Sequence, residues 1–345
     1  DYMIIDFAQS NQSPQAETDF QKDALAFLEN WWSEGDLVQV RSSGSTGTPK
    51  IFLIDKVKMK NSAKMTGDFL DLEPGDTALL CLPVEYISGK MMMVRALERR
   101  LKLIIADSSI APLKNLNQPV DFCAMTPLQV ENSLNKLHLI KKLIIGGAAV
   151  SESLKFKITN ALDVSGTTVY ETYGMSETLS HIALKRIHPD PEEYFTVFKG
   201  VEIEADADGR LIINAPMLNA EILKTNDLVE LENERQFKFI GRMDHMINSG
   251  GAKISPEAVE AVIKKEVANE VVAVGIPDSV LGQKLILIVE GSADDSVRNA
   301  ISGLKFEKSF YRPKEIHFIP KIPRTPNGKV NRLALKDLLK NERFY

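Results

Sequence analysis

The chain has 345 residues, 44% apolar and 26% charged, enough to build buried cores and to exclude disorder as its main state. Lys plus Arg number 42 and Asp plus Glu 47, and the net charge of −5 argues against a dedicated nucleic-acid binder. At ~150 residues per domain the length predicts two domains. The first element is an amphipathic helix: Phe20, Ala24, Phe27 and Trp31 recur at helical spacing, Thr18 and Gln21 fit a capping box, and Gly35 supplies the stop. Leu37–Arg41 and Ile51–Ile54 read as strands flanking a loop of small residues. Onward to about residue 215, short apolar runs alternate with helical patterns. The predicted strands are Thr77–Leu82, Leu101–Ala106, Phe122–Met125, Leu143–Ile145 and Thr167–Tyr170. The predicted helices lie around Val57–Leu70, Gly89–Arg99, Leu128–Asn135 and Glu152–Ala161. This alternation is that of βα units and predicts an α/β domain with a mainly parallel sheet.

The texture changes near residue 200. Val201–Ala205, Arg210–Asn214, Leu228–Leu231 and Phe237–Ile240 are short runs joined by Gly and Asn/Asp turns, which predicts a small antiparallel unit. Ser255-Pro256-Glu257 is an N-cap followed by Pro at the first helical position. Strands over Val271–Ile276 and Leu285–Val289 and a last helix over Val330–Lys340 complete a separate α+β region. The division is set at residues 1–241 and 242–345. Cys81 and Cys123 are too few for a disulfide framework or a multi-cysteine zinc site and read as small buried hydrophobes in a reducing compartment. No apolar run approaches the ~18 residues of a membrane span. Asp1–Gln12 lacks the basic-then-apolar order of a signal peptide, so a cytoplasmic protein is expected.

Four segments carry chemistry. Ser42–Lys50 is built from Gly, hydroxyl residues, Pro and Lys. Small residues let backbone N–H groups approach an anion, hydroxyls add donors and Lys50 adds charge, a composition suited to gripping phosphate. It is not a Walker A loop, because Pro49 stands for the second Gly and Ile51 for the Mg²⁺-binding hydroxyl. Thr172–Thr178 follows a predicted strand, at the sheet edge where α/β folds bind ligands; Glu177 is a candidate metal ligand, and Ser176 and Thr178 are candidate phosphate donors. Gly241–Ile254 spans the predicted boundary, and Gly250-Gly251 permits unusual backbone angles. Pro323–Lys329 is a loop shaped by Pro and Gly that presents Lys329. Taken singly, each also fits an exposed turn or linker.

In this order the four segments resemble the adenylate-forming superfamily of acyl-CoA synthetases, peptide-synthetase adenylation domains and luciferases, over about Arg41 to Leu335. The resemblance implies a large α/β N-terminal domain and a small mobile C-terminal domain. It also implies activation of a carboxylate with Mg·ATP, giving acyl-AMP and pyrophosphate, and then displacement of AMP by a thiol such as that of coenzyme A. On that resemblance Ser43, Gly44, Ser45, Thr46, Gly47 and Lys50 hold the β- and γ-phosphates. Gly146, Gly147 and Ala148 lie beside adenine and the acyl pocket, and Tyr173, followed by Gly174, lies against the adenine. Ser176 contacts the α-phosphate, where the family usually has Thr. Glu177 binds Mg²⁺. Asp227 and Arg242 reach the ribose, Asp244 is the hinge of domain rotation, and Gly250 and Gly251 line the pantetheine passage. Lys329 is the catalytic lysine, stabilising the charge that builds as the carboxylate attacks the α-phosphate.

The segment around Leu82–Gly89 carries Tyr86 where the superfamily usually has His. From Ile87 to Leu97 it is most similar to the o-succinylbenzoate–CoA ligase branch, of menaquinone biosynthesis, through Ser88 and, seven residues on, Arg95. Ser180 also matches that branch, and His181 replaces a Gln. The implied substrate has two carboxylates, and Arg95 is the natural fork for the one that does not react. The alternative for Arg95 is a solvated helix residue in the run Arg95, Glu98, Arg99, Arg100. A CoA ligase for another aryl or fatty acid, an adenylation enzyme loading a carrier-protein thiol, and a silent acyl-nucleotide binder are the competing functions. The glycine-rich loop begins about 40 residues in, so part of the usual N-terminal region is expected to be missing. A homodimer stays open.

Overall fold

A computed structural model describes residues 2–9, 14–41, 51–162, 166–324 and 330–341. Its largest feature is a twelve-stranded sheet. Five neighbouring strands in it run parallel, in the order Lys102–Ile105, Thr77–Leu80, Val120–Met125, Ile140–Ile145 and Thr168–Gly174. Most of these strands are largely apolar because both faces are covered, while Thr168–Gly174 carries the buried Glu171. Alternate residues feed two cores. Leu80, Leu103, Phe122 and Ile144 meet the helices Asp19–Trp32, Lys56–Phe69 and Ile87–Arg99 on one side. Leu79, Ile104, Cys123 and Leu143 meet Glu152–Leu162 on the other. Cys81 and Cys123 are buried and unbridged, as their small number implied. Phe122 is fully buried, and Phe122→Ala is expected to cost about 3–5 kcal/mol of stability, read as a lower denaturation midpoint in urea with activity retained at low denaturant.

The antiparallel strands expected after residue 200 are present, and they extend the same sheet. Thr168–Gly174 pairs on its other side with His181–His188, antiparallel, and the order continues through Phe195–Val197, Gln236–Arg242, Leu223–Asn233, Arg210–Asn214 and Glu202–Ala205. The reason is the short return after Gly174: a connection of a few residues permits only an antiparallel partner. At the opposite edge Met3–Asp6 pairs antiparallel with Lys102–Ile105, a strand too short to stand out in the sequence. The stretch predicted as one helix over Leu128–Asn135 is a capped turn of helix at Pro127–Glu131 followed by a 3₁₀ segment at Leu134–Leu139.

The large sheet ends its chain path at Arg242, and a five-stranded sheet takes over from Ile247. In it Val271–Asp278 and Gly282–Glu290 form an antiparallel pair, and Glu315–Ile319 lies parallel to the latter. Pro256–Ile263 packs on one face and Arg332–Asn341 on the other. Gly250 and Gly251 are the two-residue turn between Ile247–Ser249 and Ala252–Ile254, with φ of +58° and +83°. Such a hairpin needs positive φ at both turn positions, which glycine adopts without penalty.

Candidate active site

The site is built at the carboxyl ends of the parallel strands. The Ile140–Ile145 strand runs into Gly146, whose N–H donates to the Met125 carbonyl at 3.1 Å. A Cβ at Gly146 would lie 2.7 Å from Thr172 Oγ1, so the backbone passes the neighbouring strand only without a side chain. Gly147 follows at φ of +87°, the left-handed region that glycine adopts without penalty.

The next strand carries Tyr173 and Gly174. The Tyr173 ring lies edge-on to Phe237 at 4.9 Å and near Phe195 and Phe239. Its hydroxyl donates to Asp227 Oδ2 at 2.5 Å, and burial followed by the Asp227 charge pushes its ionisation up. A Cβ at Gly174 would lie 2.4 Å from the Ser180 carbonyl oxygen, so this turn too tolerates no side chain. Beyond it Ser176–Thr178 forms one 3₁₀ turn. Leu179 follows at φ +65°, with the Ser180 N–H donating to the Thr178 carbonyl at 2.7 Å. This tight reversal returns the chain so that Ser180 is half-buried and His181 buried while Ser176 and Glu177 stay exposed. Asn219 Nδ2 donates to the Glu177 carbonyl at 3.2 Å.

Asp227, only 6% exposed, sits opposite Arg242 in the antiparallel register. Arg242 donates to Asp227 Oδ1 at 3.1 Å and grips Asp244 with Nε and a terminal nitrogen at 2.9 and 3.0 Å. The guanidinium holds the Asp244 carboxyl below the usual carboxylate range, mainly through those hydrogen bonds. One arginine therefore ties the candidate ribose acid to the candidate hinge. The sequence reading named all three residues but not this linkage.

A second cluster lies on the helix Ile87–Arg99. Arg95 is 2% exposed, and burial pushes its guanidinium down to about 9, so it is still a cation at neutral pH. One terminal nitrogen donates to Ser180 Oγ at 3.1 Å, while Nε has no hydrogen-bond partner among the described residues. No carboxylate is paired with it among those residues. The solvated alternative for Arg95 therefore fails: Met91–Ala96 are all buried, and the helix is wedged into the core. His181 joins Arg95 and Ser180, with Nε2 3.0 Å from Thr66 Oγ1; burial and then the Arg95 charge hold it well below the ordinary histidine value. Thr66 was missed by the sequence reading, since its helix reads only as an amphipathic element. Ser88 is exposed two turns earlier on the same helix and is not brought into this cluster; Tyr86 precedes the helix as its N-cap. The phosphate-gripping candidates Ser43–Lys50 and the candidate catalytic Lys329 lie outside the described residues.

Among the described residues no helix is long and apolar enough to cross a membrane. Residues 3–208 match the AMP-binding enzyme family, and residues 259–329 match the AMP-binding enzyme C-terminal domain. The acyl-CoA synthetase (AMP-forming)/AMP-acid ligase II-like protein from Dyadobacter fermentans is 31% identical, with a TM-score of 0.66 over 98% of this chain and 99% of that one. The 2-succinylbenzoate–CoA ligase of Lactococcus lactis is 25% identical over 91% of this chain and 76% of its own length. The O-succinylbenzoate coenzyme A synthetase from Bacillus subtilis, solved with ATP and magnesium ion, shares the fold at a TM-score of 0.72 and 21% identity, over 87% of this chain and 69% of that one. With one match covering more than half of its length and a second in its C-terminal region, the chain belongs to the AMP-binding enzyme family and is, by class, an adenylate-forming acyl-CoA ligase.

Proposed function

We propose that the chain converts o-succinylbenzoate, ATP and coenzyme A into o-succinylbenzoyl-CoA, AMP and pyrophosphate. The observation that carries the choice of acid is Arg95: a buried cation with an unpartnered Nε and no carboxylate beside it among the described residues. Burying a charge without a counter-ion is costly, so such a group is kept for a ligand that brings the opposite charge. A dicarboxylate brings it at one end while its other carboxyl reacts. The similarity to 2-succinylbenzoate–CoA ligases supports the same acid.

The nucleotide site fits the same reading. Each Asp227 oxygen accepts one hydrogen bond here and keeps lone-pair capacity for a ribose hydroxyl. Tyr173, on the strand next to the one that ends at Gly146, offers an aromatic ring for a base. Glu177 is an exposed single carboxylate, the donor set that Mg²⁺ takes when substrate phosphates complete its shell. Bound Mg²⁺ would neutralise phosphate charge. Lys50 and the Ser43–Gly47 backbone would hold the outer phosphates and Ser176 the α-phosphate. Lys329 stabilises the charge built up as a carboxylate oxygen attacks the α-phosphorus and pyrophosphate leaves. In the second step the CoA thiolate attacks the acyl carbon, the bond to AMP breaks, and the thiol proton goes to solvent.

Asp227→Asn removes the charge from the ribose acceptor. It is expected to raise the KM for ATP about tenfold or more, the worth of hydrogen bonds to a charged group, with the KM for the acid nearly unchanged. We place the domain division at residues 241 and 242, with Asp244 as hinge and Gly250-Gly251 on the thiol's path. Asp244→Pro fixes φ near −65° and is expected to spare acyl-AMP formation while slowing CoA transfer. Asp244→Ala, which breaks the Arg242 pair without fixing the backbone, separates the two effects. Normal transfer in the proline variant removes Asp244 from the hinge. The function itself is tested by a panel of acids assayed for CoA-dependent AMP and pyrophosphate release. O-succinylbenzoate is expected to lead; a simple aryl monocarboxylate turned over in its place defeats the reading.

A further inference from the structure

We propose that His181 and Thr66 are positioning residues: a one-way hydrogen-bond relay from Arg95 through Ser180 and His181 to Thr66 and the Ser62 carbonyl aims the guanidinium at the non-reacting carboxylate. The inference rests on the reading of Arg95 as a carboxylate clamp.

Proton bookkeeping fixes the direction. The Ser62 carbonyl can only accept, and Thr66 Oγ1 donates its single hydrogen there at 3.1 Å, one turn back in the same helix. Thr66 Oγ1 is then only an acceptor for His181 Nε2 at 3.0 Å, so Nε2 must carry the ring proton. In a neutral ring Nδ1 is left as an acceptor. The Ser180 hydroxyl, 3.4 Å away, donates its one hydrogen to Nδ1, and its lone pairs accept from Arg95 at 3.1 Å. Every link has one donor and one acceptor. The opposite tautomer would keep a partner at Nε2 only if Thr66 turned its hydrogen from the Ser62 carbonyl to the ring, giving up that bond, and an imidazolium would add a second buried cation near Arg95. Burial, which already holds His181 neutral, agrees. The ring is further fixed edge-on to Phe198 at 5.5 Å. A carboxamide also offers a donor and an acceptor, so a glutamine at this position can carry the same polarity.

Two measurements test the relay. Long-range ¹H–¹⁵N correlation spectra of the ¹⁵N-histidine-labelled full chain, free of substrate, are expected to show His181 as the neutral Nε2–H tautomer at neutral pH; His181→Gln identifies the resonance among the five histidines. An Nδ1–H tautomer or an imidazolium overturns the relay. In kinetics, His181→Phe and Thr66→Val are each expected to reduce the preference for the dicarboxylic acid over a monocarboxylic analogue about tenfold, while His181→Gln keeps it. An unchanged preference in both disrupting variants, or an equal loss for both acids, also overturns it. If the wild-type chain shows no preference for the dicarboxylic acid, the substrate reading fails, and the tautomer, measured without substrate, decides the relay by itself.

Discussion

Lys329→Ala is expected to slow acyl-AMP formation by about 10²–10³, the effect of removing one preorganised electrostatic group, while leaving thioester formation from supplied acyl-AMP unchanged. The asymmetry follows from the chemistry. A carboxylate needs no deprotonation, so the lysine has no proton to take. On the proposed role its charge matters only while negative charge grows around the α-phosphorus, and that has ended once acyl-AMP exists. The described residues on either side of Lys329 pair with each other. Arg324 and Val330 form an antiparallel bridge, and the Asn331 N–H donates to the Pro323 carbonyl at 2.8 Å. Ile322 and Val330 pack into the core on the Arg332–Asn341 face of the smaller sheet, so on the proposed hinge at Asp244 a rotation would carry Lys329 with it. Lys329→Arg keeps the charge but changes its shape and reach, and is expected to recover only part of the rate. The check is pyrophosphate release for the first step and CoA consumption from synthetic acyl-AMP for the second. Equal losses in both would remove Lys329 from an adenylation-only role.

How much of this was legible before any coordinates depends on sequence separation. The parallel core was readable because most of its strands are short apolar runs that alternate with helical patterns, as burial on both faces requires. The hairpin at Gly250-Gly251 was readable as a place needing unusual backbone angles. The join between the parallel and antiparallel strands was not, since it depends on the edge left open by Thr168–Gly174, a property of the assembled sheet. The same holds within the site. Tyr173 and Asp227 were each singled out, yet their contact spans 54 positions, and the His181–Thr66 contact spans 115. Arg95 is the sharpest case. The charges at Glu98, Arg99 and Arg100 made a solvated face a fair alternative, and only the packing of Met91–Ala96 into the core removes it.

Arg95→Ala is expected to decide the substrate. If Arg95 holds the carboxylate that does not react, truncation leaves that charge partly desolvated and unpaired, which typically costs about 2–5 kcal/mol. At 1.36 kcal/mol per factor of ten, kcat/KM for o-succinylbenzoate should fall roughly 30- to several-thousand-fold. A monocarboxylic analogue never makes the contact, so its lower activity should change little and the preference for the dicarboxylic acid should shrink. Arg95→Lys should rescue only part of the loss, because an ammonium cannot form the two-pronged contact. Free-enzyme stability should move the other way. Arg95 is a buried cation whose one hydrogen bond within this cluster goes to a neutral serine, so Arg95→Met, which fills similar space without a charge, is expected to raise Tm while abolishing the preference. A gain in stability with a loss of discrimination separates a binding role from a structural one, since a structural arginine would lower Tm when replaced. An equal loss for both acids with a lowered Tm would make Arg95 part of the scaffold. No loss for either acid would leave the buried charge without a ligand and return the choice of substrate to the aryl and fatty acids.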